Sequence, residues 1–223
     1  MSVAILVSGH DRYSFAWDGF AHGFKKYWPD CPWPIYFITN KLEAPIGMTL
    51  KVGDDNGYWG TAMSRALGLI NAEVILFMCE DYWLTAPTNT QDIISLSRLF
   101  QYRYSLNYIK LNPSIDAQIQ ATKNTFQFSE DALYRTSMQI AFWRKEVLQN
   151  LIKFDDSIHA FETEGGRRAS LTDDFRAVKE FKYIHYIHPD DPTFEPRWGN
   201  GAVENGEFTE SAYEYARREG ITI

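Results

Sequence analysis

Short apolar runs alternate with stretches of helical periodicity along the first third of this chain. The runs at 3–7 and 35–38 flank a segment, 14–28, with aromatic residues at helical spacing, and a third run at 74–78 follows a helical pattern over 61–70. Runs that are apolar on both faces are typical of buried strands in parallel sheets. The pattern therefore predicts an α/β fold with a mostly parallel central sheet flanked by helices, in a single domain.

The rest of the chain predicts further elements. We expect helices over 88–102, 144–154, 172–179 and 208–219, strands over 108–111, 137–143 and 181–187, and extended pieces at 126–128 and around Tyr134. Residues 189–205 are rich in Pro, Gly and Asp, which indicates a loop or lid over the sheet edge.

Composition narrows the possible partners. The net charge of −7 argues against a broad basic face for nucleic acid, where phosphate neutralisation dominates binding. The two cysteines lie far apart, at Cys31 and Cys79, which favours a reduced, cytoplasmic protein. The first apolar run is too short for a signal sequence or a membrane span, so we expect neither.

Polar clusters follow the ends of several predicted strands. Because ligands bind at the carboxyl ends of parallel strands, we expect these clusters to converge on one crevice. Gly9 would let the backbone approach a ligand, and Thr39 and Asn40 would bond a base or ribose. No dinucleotide or phosphate-loop motif follows the first strand. The clusters comprise Ser8, Gly9, His10, Asp11 and Arg12, then Thr39 and Asn40, then Glu80 and Asp81, then Glu162 and Glu164.

Two adjacent acids follow Cys79, directly after the apolar run at 74–78. Glu80 and Asp81 suit a divalent cation, Mn²⁺ or Mg²⁺, that bridges a diphosphate; the alternative is a solvated strand end. A Gly-rich loop precedes this unit and contributes Asp54 and Trp59 as candidates. Arg65, on the next helix, would reach the same phosphates, or it faces solvent.

Another candidate group lies later in the chain. Glu162 follows Phe161 and precedes a Gly-Gly-Arg-Arg turn, and a carboxylate in an apolar setting suits a general base; the alternative is an acid in a surface loop. Arg168 would bind an anion or face water. His185 and His188 are metal-ligand candidates, although histidines in a late strand are more often structural.

Three segments together resemble glycosyltransferases of the GT-A fold, and more narrowly a group of small bacterial and phage sugar transferases. They are 59–84, which ends in Glu-Asp-Tyr-Trp-Leu; 137–148, which contains Phe-Trp-Arg-Lys; and 161–169. The resemblance implies a nucleotide-sugar donor and a divalent metal on Asp81. Cys79 occupies the position of the first acid in the family's metal motif. The resemblance also implies that Glu162, with Glu164 as its rival, deprotonates the acceptor.

The expected function is sugar transfer from a nucleotide-sugar to an acceptor hydroxyl, with a surface glycan as acceptor. A division follows from the resemblance: residues 1–85 as the nucleotide-binding half, 86–188 as the acceptor and catalytic half, and 189–223 as lid and C-terminal helix. Three alternatives stay open: a phage enzyme that glycosylates a hydroxylated DNA base, a non-catalytic nucleotide-sugar binding protein, and a nucleotidyltransferase. A DNA acceptor would need a local basic strip, for which the candidates are Arg98, Arg103, Lys110 and Lys123.

Overall fold

A computed structural model describes residues 1–53, 57–132, 134–169, 174–193 and 201–223. Nine of its strands form one sheet. In spatial order they are β3 (Met48–Lys51), β2 (Ile35–Thr39), β1 (Val3–Ser8), β4 (Val74–Cys79), β9 (Ala141–Arg144), β6 (Leu106–Lys110), β10 (Asp174–Val178), β8 (Thr125–Phe128) and β7 (Ala117–Gln120).

Strand direction decides which residues meet at the edge of the sheet. Every strand of this sheet runs the same way except β8 and β9, so the sheet is mostly parallel, as expected. Because β9 runs in reverse, its first residue, Ala141, pairs with Phe77 and Lys110 near the carboxyl ends of β4 and β6. The residues just before β9 therefore lie at the edge where ligands are expected.

Helices cover both faces of the sheet. On one face, α1 (Trp17–Tyr27) packs Trp17 and Phe20 onto Phe37, and α4 (Leu99–Tyr102) packs Phe100 onto Phe142. On the other face lie α2 (Trp59–Leu69) and α6 (Ile158–Arg168). The remaining helices are α3 (Thr90–Ser97), α5 (Lys145–Leu151) and α7 (Glu210–Glu219), and a short 3-10 helix spans Asp11–Ala16.

Continuous apolar runs predicted β1, β2 and β4 correctly, because all three are buried. The helix expected over 172–179 is wrong: its described part is the buried strand β10. Within that strand Arg176 forms a two-pronged ion pair with Asp174, at 2.8 and 2.5 Å, which satisfies both charges inside the sheet. Acids at the start of the segment suggested the first turn of a helix, whereas Asp174 and Arg176, two residues apart, share one face of a strand.

Several smaller elements also differ from expectation. Strands β3 and β5 (Leu84–Ala86) were not expected, and Tyr134 lies in a turn. The expected strand over 181–187 is reduced to β11 (His185–Tyr186), which pairs with β5. In the C-terminal part, β12 (Val203–Glu204) and β13 (Glu207–Phe208) form a hairpin between the lid expected over 189–205 and the C-terminal helix. The helix expected over 61–70 begins two residues earlier, at Trp59.

Candidate active site

The carboxyl ends of β1 and β4 lie side by side and form the centre of the candidate site. Ser8 pairs with Cys79 in the sheet register, and the Glu80 N–H donates to the carbonyl of Ser8 at 3.2 Å. The backbone N–H of His10 bonds the Glu80 carboxylate. The structure therefore brings Ser8, His10, Glu80 and Asp81 together, as the strand-end pattern predicted.

The two acids share a setting that disfavours negative charge. Burial raises the pKa of Asp81 to about 7. Burial and the charge of Asp81 raise the pKa of Glu80 well above its usual range. Two adjacent carboxyl groups in such a setting are stabilised by a cation. Their hard oxygens fit Mg²⁺ or Mn²⁺, which commonly takes one or two carboxylates and completes its shell with substrate phosphates.

Other donors for such a cation are scarce in the described part of the chain. No group of three or more His, Cys, Asp or Glu is arranged there to hold a metal. Burial raises the pKa of Cys79 well above its usual range, so its thiol stays protonated. A protonated thiol is a poor ligand for a hard cation. A cation would therefore depend on the two acids and on its substrate.

The C-terminal segment closes one side of Asp81. The Ala202 N–H donates to the carbonyl of Asp81 at 2.8 Å. A β-carbon on Gly201 would come within 2.2 Å of Asp81 Oδ2, so only glycine leaves room for the carboxylate. The sequence predicted a lid from 189 onwards, and residues 201–202 provide a fixed wall against the acid.

Trp59 connects the first strand to α6. Its indole Nε1–H donates to Ser8 Oγ at 3.1 Å, and its ring packs against Phe161 with centroids 5.4 Å apart. Trp59 begins α2, directly after the Gly-rich loop. Because Phe161 precedes Glu162, this contact holds the general-base candidate against the β1 and β4 ends.

Glu162 lies on helix α6 rather than in a loop. Its Oε1 accepts the Met138 N–H at 2.7 Å and the Ser137 hydroxyl at 3.3 Å. Met138 and Ser137 precede the reversed strand β9, so this anchor lies at the carboxyl edge of the parallel strands. The spacing of apolar residues could not predict this contact, because the donor nearer to the Glu162 carboxylate is a backbone N–H rather than a side chain.

The rival acid Glu164 faces the other way. Two residues along a helix correspond to about 200° of rotation. Glu164 is exposed, and its Oε1 accepts from Arg167 at 2.9 Å. It lines a surface cavity of about 320 Å³ on the outer side of α6, together with Lys153, Asp155, Asp156, Ala160, Arg167 and Arg168.

The charges of Asp81 and Glu162 raise the pKa values of the same two neighbours, Cys79 and Tyr82. After burial, the charges of Asp81, Glu80 and Glu162, in that order, raise the pKa of Cys79. The pKa of Tyr82 is raised well above its usual range by burial, and the charges of Cys79, Asp81, Tyr186 and Glu162 add to this. Asp81 lies within the turn from Cys79 to Tyr82, and the charge of Glu162, on α6, reaches both ends of that turn.

Asp11, Asn40 and Thr39 are engaged in bonds within the protein. Asp11 Oδ1 accepts the Asn40 N–H at 2.9 Å, and Asn40 Oδ1 accepts the Asp11 N–H at 3.1 Å. The hydroxyl of the fully buried Thr39 donates to the carbonyl of Leu42 at 2.8 Å. The three side chains therefore join the loops after β1 and β2. Ligand binding by these side chains was an expectation that nothing in this geometry favours.

Gly9 also has a packing role. A β-carbon there would lie 2.3 Å from Phe37 Cε1 and 2.7 Å from the carbonyl oxygen of Ile38. Gly9 was expected to let a ligand approach the backbone, but in the structure its missing side chain leaves room for strand β2. Its backbone still lies beside the crevice, between Ser8 and His10.

The expected phosphate-binding arginines have protein partners. Arg65 Nη1 donates to the carbonyl of Val52 at 2.8 Å. Arg168 holds both oxygens of Asp156, at 3.1 and 2.8 Å. Its guanidinium is thus engaged by a protein carboxylate, and donor binding by Arg168 stays a prediction. Asp54 lies outside the described residues.

The two late histidines differ in their surroundings. His185 Nδ1 lies 3.0 Å from Oδ1 of the buried Asp191. Burial lowers the pKa of His188 to about 4, so its ring is neutral at pH 7. Because His188 Nδ1 accepts the Asp190 N–H at 3.1 Å, the ring proton lies on Nε2. In this arrangement neither nitrogen of His188 has a free lone pair for a metal.

The residues expected to form a basic strip do not line up. Lys110 ends β6 at the crevice, whereas Arg103 precedes the start of β6 at the opposite edge of the sheet. The strip therefore gives no support to a DNA acceptor.

No protein-family model matches the sequence, and no curated protein is similar to it. Similar solved structures include the 1–349 fragment of TarS, a GT-A glycosyltransferase from S. aureus. The fragment in complex with UDP has a TM-score of 0.52 and 13% identity, over 86% of this chain and 62% of that one. In complex with UDP-GlcNAc the values are 0.52 and 12%, over 86% and 63%.

The chain has the GT-A fold. At this identity the similarity extends to the fold alone, and it confirms the fold that the sequence resemblance implied. The chain spans a little over three fifths of the TarS fragment. The β1 and β4 ends and the acids described above lie at the same edge of the sheet. Among the helices of the described residues, none is both long and apolar enough to cross a bilayer.

Proposed function

We propose that this protein transfers a sugar from a nucleoside-diphosphate sugar to an acceptor hydroxyl. One observation carries the proposal: Asp81 follows β4 and the Glu162 carboxylate is anchored on the residues just before β9, both at the carboxyl edge of the parallel strands of a GT-A sheet. The GT-A fold, with TarS complexes of UDP and UDP-GlcNAc among similar structures, supports this donor class.

The residues divide the reaction between them. The bond from the anomeric carbon to the diphosphate oxygen breaks, and a bond to the acceptor oxygen forms. Glu162 takes the acceptor proton through Oε2, since Oε1 is held by Met138 and Ser137. The nucleoside diphosphate leaves with the bonding electrons. With Glu162 as base, the displacement is a single step that inverts the anomeric centre.

Asp81, with Glu80 beside it, would hold a divalent cation against the diphosphate. Such a cation supplies charge neutralisation for the leaving group. The protein's own contribution is to keep the two carboxyl groups together and to exclude water from one side of Asp81 through Gly201. Trp59 would present the face of its ring to the donor, because its indole N–H is already bonded to Ser8.

For the acceptor we propose a hydroxyl of a surface glycan. The net charge of −7 and the divided basic residues disfavour duplex DNA. A second candidate function is nucleotide-sugar binding without transfer, which the presence of Cys79 in place of an acid favours. Turnover distinguishes the two, because a binding protein retains its ligand unchanged.

The decisive experiment measures release of nucleoside diphosphate from UDP-GlcNAc, UDP-glucose and GDP-mannose with Mn²⁺, for wild type, Asp81→Asn and Glu162→Gln. We expect both variants to lose about a hundredfold or more in turnover, Glu162→Gln because the general base is removed and Asp81→Asn because the cation that neutralises the leaving group is held less tightly. Glu164→Gln is the matched control, because that acid faces solvent. Unchanged turnover in Glu162→Gln would overturn the assigned base. Pyrophosphate release from a nucleoside triphosphate would instead indicate a nucleotidyltransferase.

A further inference from the structure

Two amide side chains belong to opposite residues at the carboxyl edge of the sheet. The antiparallel pairing of β6 with β9 continues one residue past both strands, where the Leu111 N–H donates to the carbonyl of Ile140 at 2.9 Å. The next residues along the chain are Asn112, after β6, and Gln139, before β9. Opposite residues of an antiparallel pair have β-carbons about 5 Å apart, so two amides there can share one small ligand group.

Gln139 has an oxygen that is held and a nitrogen that is available. Its Oε1 accepts the hydroxyl of Tyr186 at 2.5 Å, and the Tyr186 ring packs against Tyr82 with centroids 5.0 Å apart. No acceptor among the described residues takes a hydrogen bond from Gln139 Nε2, and the residue is only half-buried. The tyrosine therefore fixes the orientation of the amide, and the two N–H groups can donate to a ligand.

Asn112 supplies an acceptor. The residue is 1% exposed, and its Oδ1 is buried without a hydrogen-bond donor in the described part of the chain. A buried acceptor without a donor destabilises the folded state, and most such groups in proteins bond a protein donor or an ordered water. A small group that both accepts and donates would satisfy Asn112 and Gln139 together.

The amide pair is connected to both acids of the proposed site. On one side Gln139 connects through the two packed tyrosines to Asp81, the residue before Tyr82. On the other side Met138, the residue before Gln139, holds Glu162 through its N–H at 2.7 Å. In the displacement proposed above, the transferred sugar lies between the departing diphosphate and the acceptor oxygen, and therefore between these two acids.

We propose that Gln139 and Asn112 bind one hydroxyl of the transferred sugar. The Gln139 N–H donates to the hydroxyl oxygen, and the hydroxyl donates to Asn112 Oδ1, since a hydroxyl carries one donor and two acceptor sites. The inference rests on the proposed function and deepens it by naming residues that select the sugar. A site built to bond a hydroxyl rejects an analogue without it, because both amides then stay unpaired.

The test measures binding by calorimetry, with Mn²⁺, for the donor that wild type binds among UDP-GlcNAc, UDP-glucose and GDP-mannose, and for its free nucleoside diphosphate. Gln139→Met should weaken donor binding about tenfold and leave nucleoside diphosphate binding within about twofold. Gln120→Met, at an exposed amide of β7, is the matched control and should change neither. Asn112→Leu should also weaken donor binding, yet melt no lower than wild type without ligand, because it removes an unpaired buried acceptor.

Analogues of the donor that each lack one sugar hydroxyl identify the bonded group. Wild type and Gln139→Met should bind one of these analogues equally, and a tenfold difference that persists with all of them overturns the proposal. So does unchanged donor affinity in Gln139→Met, which would indicate that water occupies the site, or an equal loss for donor and nucleoside diphosphate. A lower melting temperature of Asn112→Leu refutes the role of Asn112.

If Gln139→Met fails to fold, Gln139→Glu decides, because it keeps the oxygen that Tyr186 bonds and removes the two N–H donors. It should show the same selective loss of donor affinity, and equal affinity to wild type overturns the proposal. Wild type that binds none of the three donors refutes the proposed function itself. Donor binding that is insensitive to Gln139 refutes this inference alone.

Discussion

A β-carbon on Gly201 would lie 2.2 Å from Oδ2 of Asp81, closer than any real contact allows. Gly201 also has a φ of +112°, which side-chain-bearing residues rarely adopt. The carboxylate at the centre of the proposed site therefore depends on a glycine about 120 residues further along the chain. Nothing in the sequence connects these two positions.

The first prediction concerns this contact. Gly201→Ala should push the Asp81 carboxylate aside and weaken Mn²⁺-dependent donor binding by at least tenfold. Gly206→Ala is the matched control, because Gly206, in the hairpin that follows Gly201, has a φ of +87° but nothing within 4 Å of a β-carbon. Both variants should lose about 1–2 kcal/mol of stability through backbone strain. Isothermal titration with UDP-GlcNAc and Mn²⁺ would measure the difference, and equal affinities would contradict it.

The second prediction concerns Asp11. Its carboxylate accepts the backbone N–H groups of Asn40, Lys41 and Leu42, at 2.9, 2.8 and 3.2 Å. Asp11→Ala should cost about 2 kcal/mol in urea unfolding, because these donors lose a charged acceptor. Asp155→Ala, at an exposed acid, should cost less than about 0.5 kcal/mol. Unchanged stability with lost donor affinity would return Asp11 to the ligand-binding role expected from sequence.

The third prediction separates two adjacent arginines. Arg168→Met should destabilise the protein by about 3 kcal/mol, because it leaves the buried Asp156 without its two-pronged partner. Arg167→Met, which removes an exposed pair with Glu164, should cost less than about 0.5 kcal/mol. Thermal and urea unfolding would measure both. Neither variant should alter donor affinity, and a selective loss in Arg168→Met would show that Arg168 binds the donor after all.

The fourth prediction is an acid dependence at the C-terminal helix. Burial alone would raise the pKa of Glu219, but hydrogen bonds from Lys26, Tyr27 and His22 lower it to about 2. A lowered carboxylate pKa gives stability that is present above the unfolded value of about 4.5 and is lost as pH falls towards 2.

Glu219→Gln should therefore lower stability at pH 7 by about 1–2 kcal/mol, a range reduced for solvent screening. Near pH 2 the variant and wild type should converge. Glu214→Gln, on the same helix, is the control for general loss of an acid. Urea unfolding from pH 2 to 7 would measure the convergence, and a difference that stays constant with pH would contradict the predicted linkage.

The sequence by itself determined the central strands. Val74–Cys79 is apolar at nearly every position because both faces of β4 are buried. A short continuous apolar run of this kind is typical of a buried strand in a parallel sheet. It also predicted that polar residues after β1 and β4 meet, since neighbouring parallel strands end at one edge. Local pattern failed at β10, where an ion pair between Asp174 and Arg176 is satisfied inside the sheet.

Only the tertiary structure decided which polar residues remain available for chemistry. Asp11, Arg65 and Arg168 are all suitable ligands by residue type, yet each is bonded to a protein group distant in sequence. Glu162 reaches the crevice because β9 runs in reverse and places the Met138 N–H at the carboxyl edge. Hydrogen bonds and charge contacts of this kind depend on distances between remote segments. A linear pattern of apolar and polar residues records burial and periodicity, and it contains no such distances.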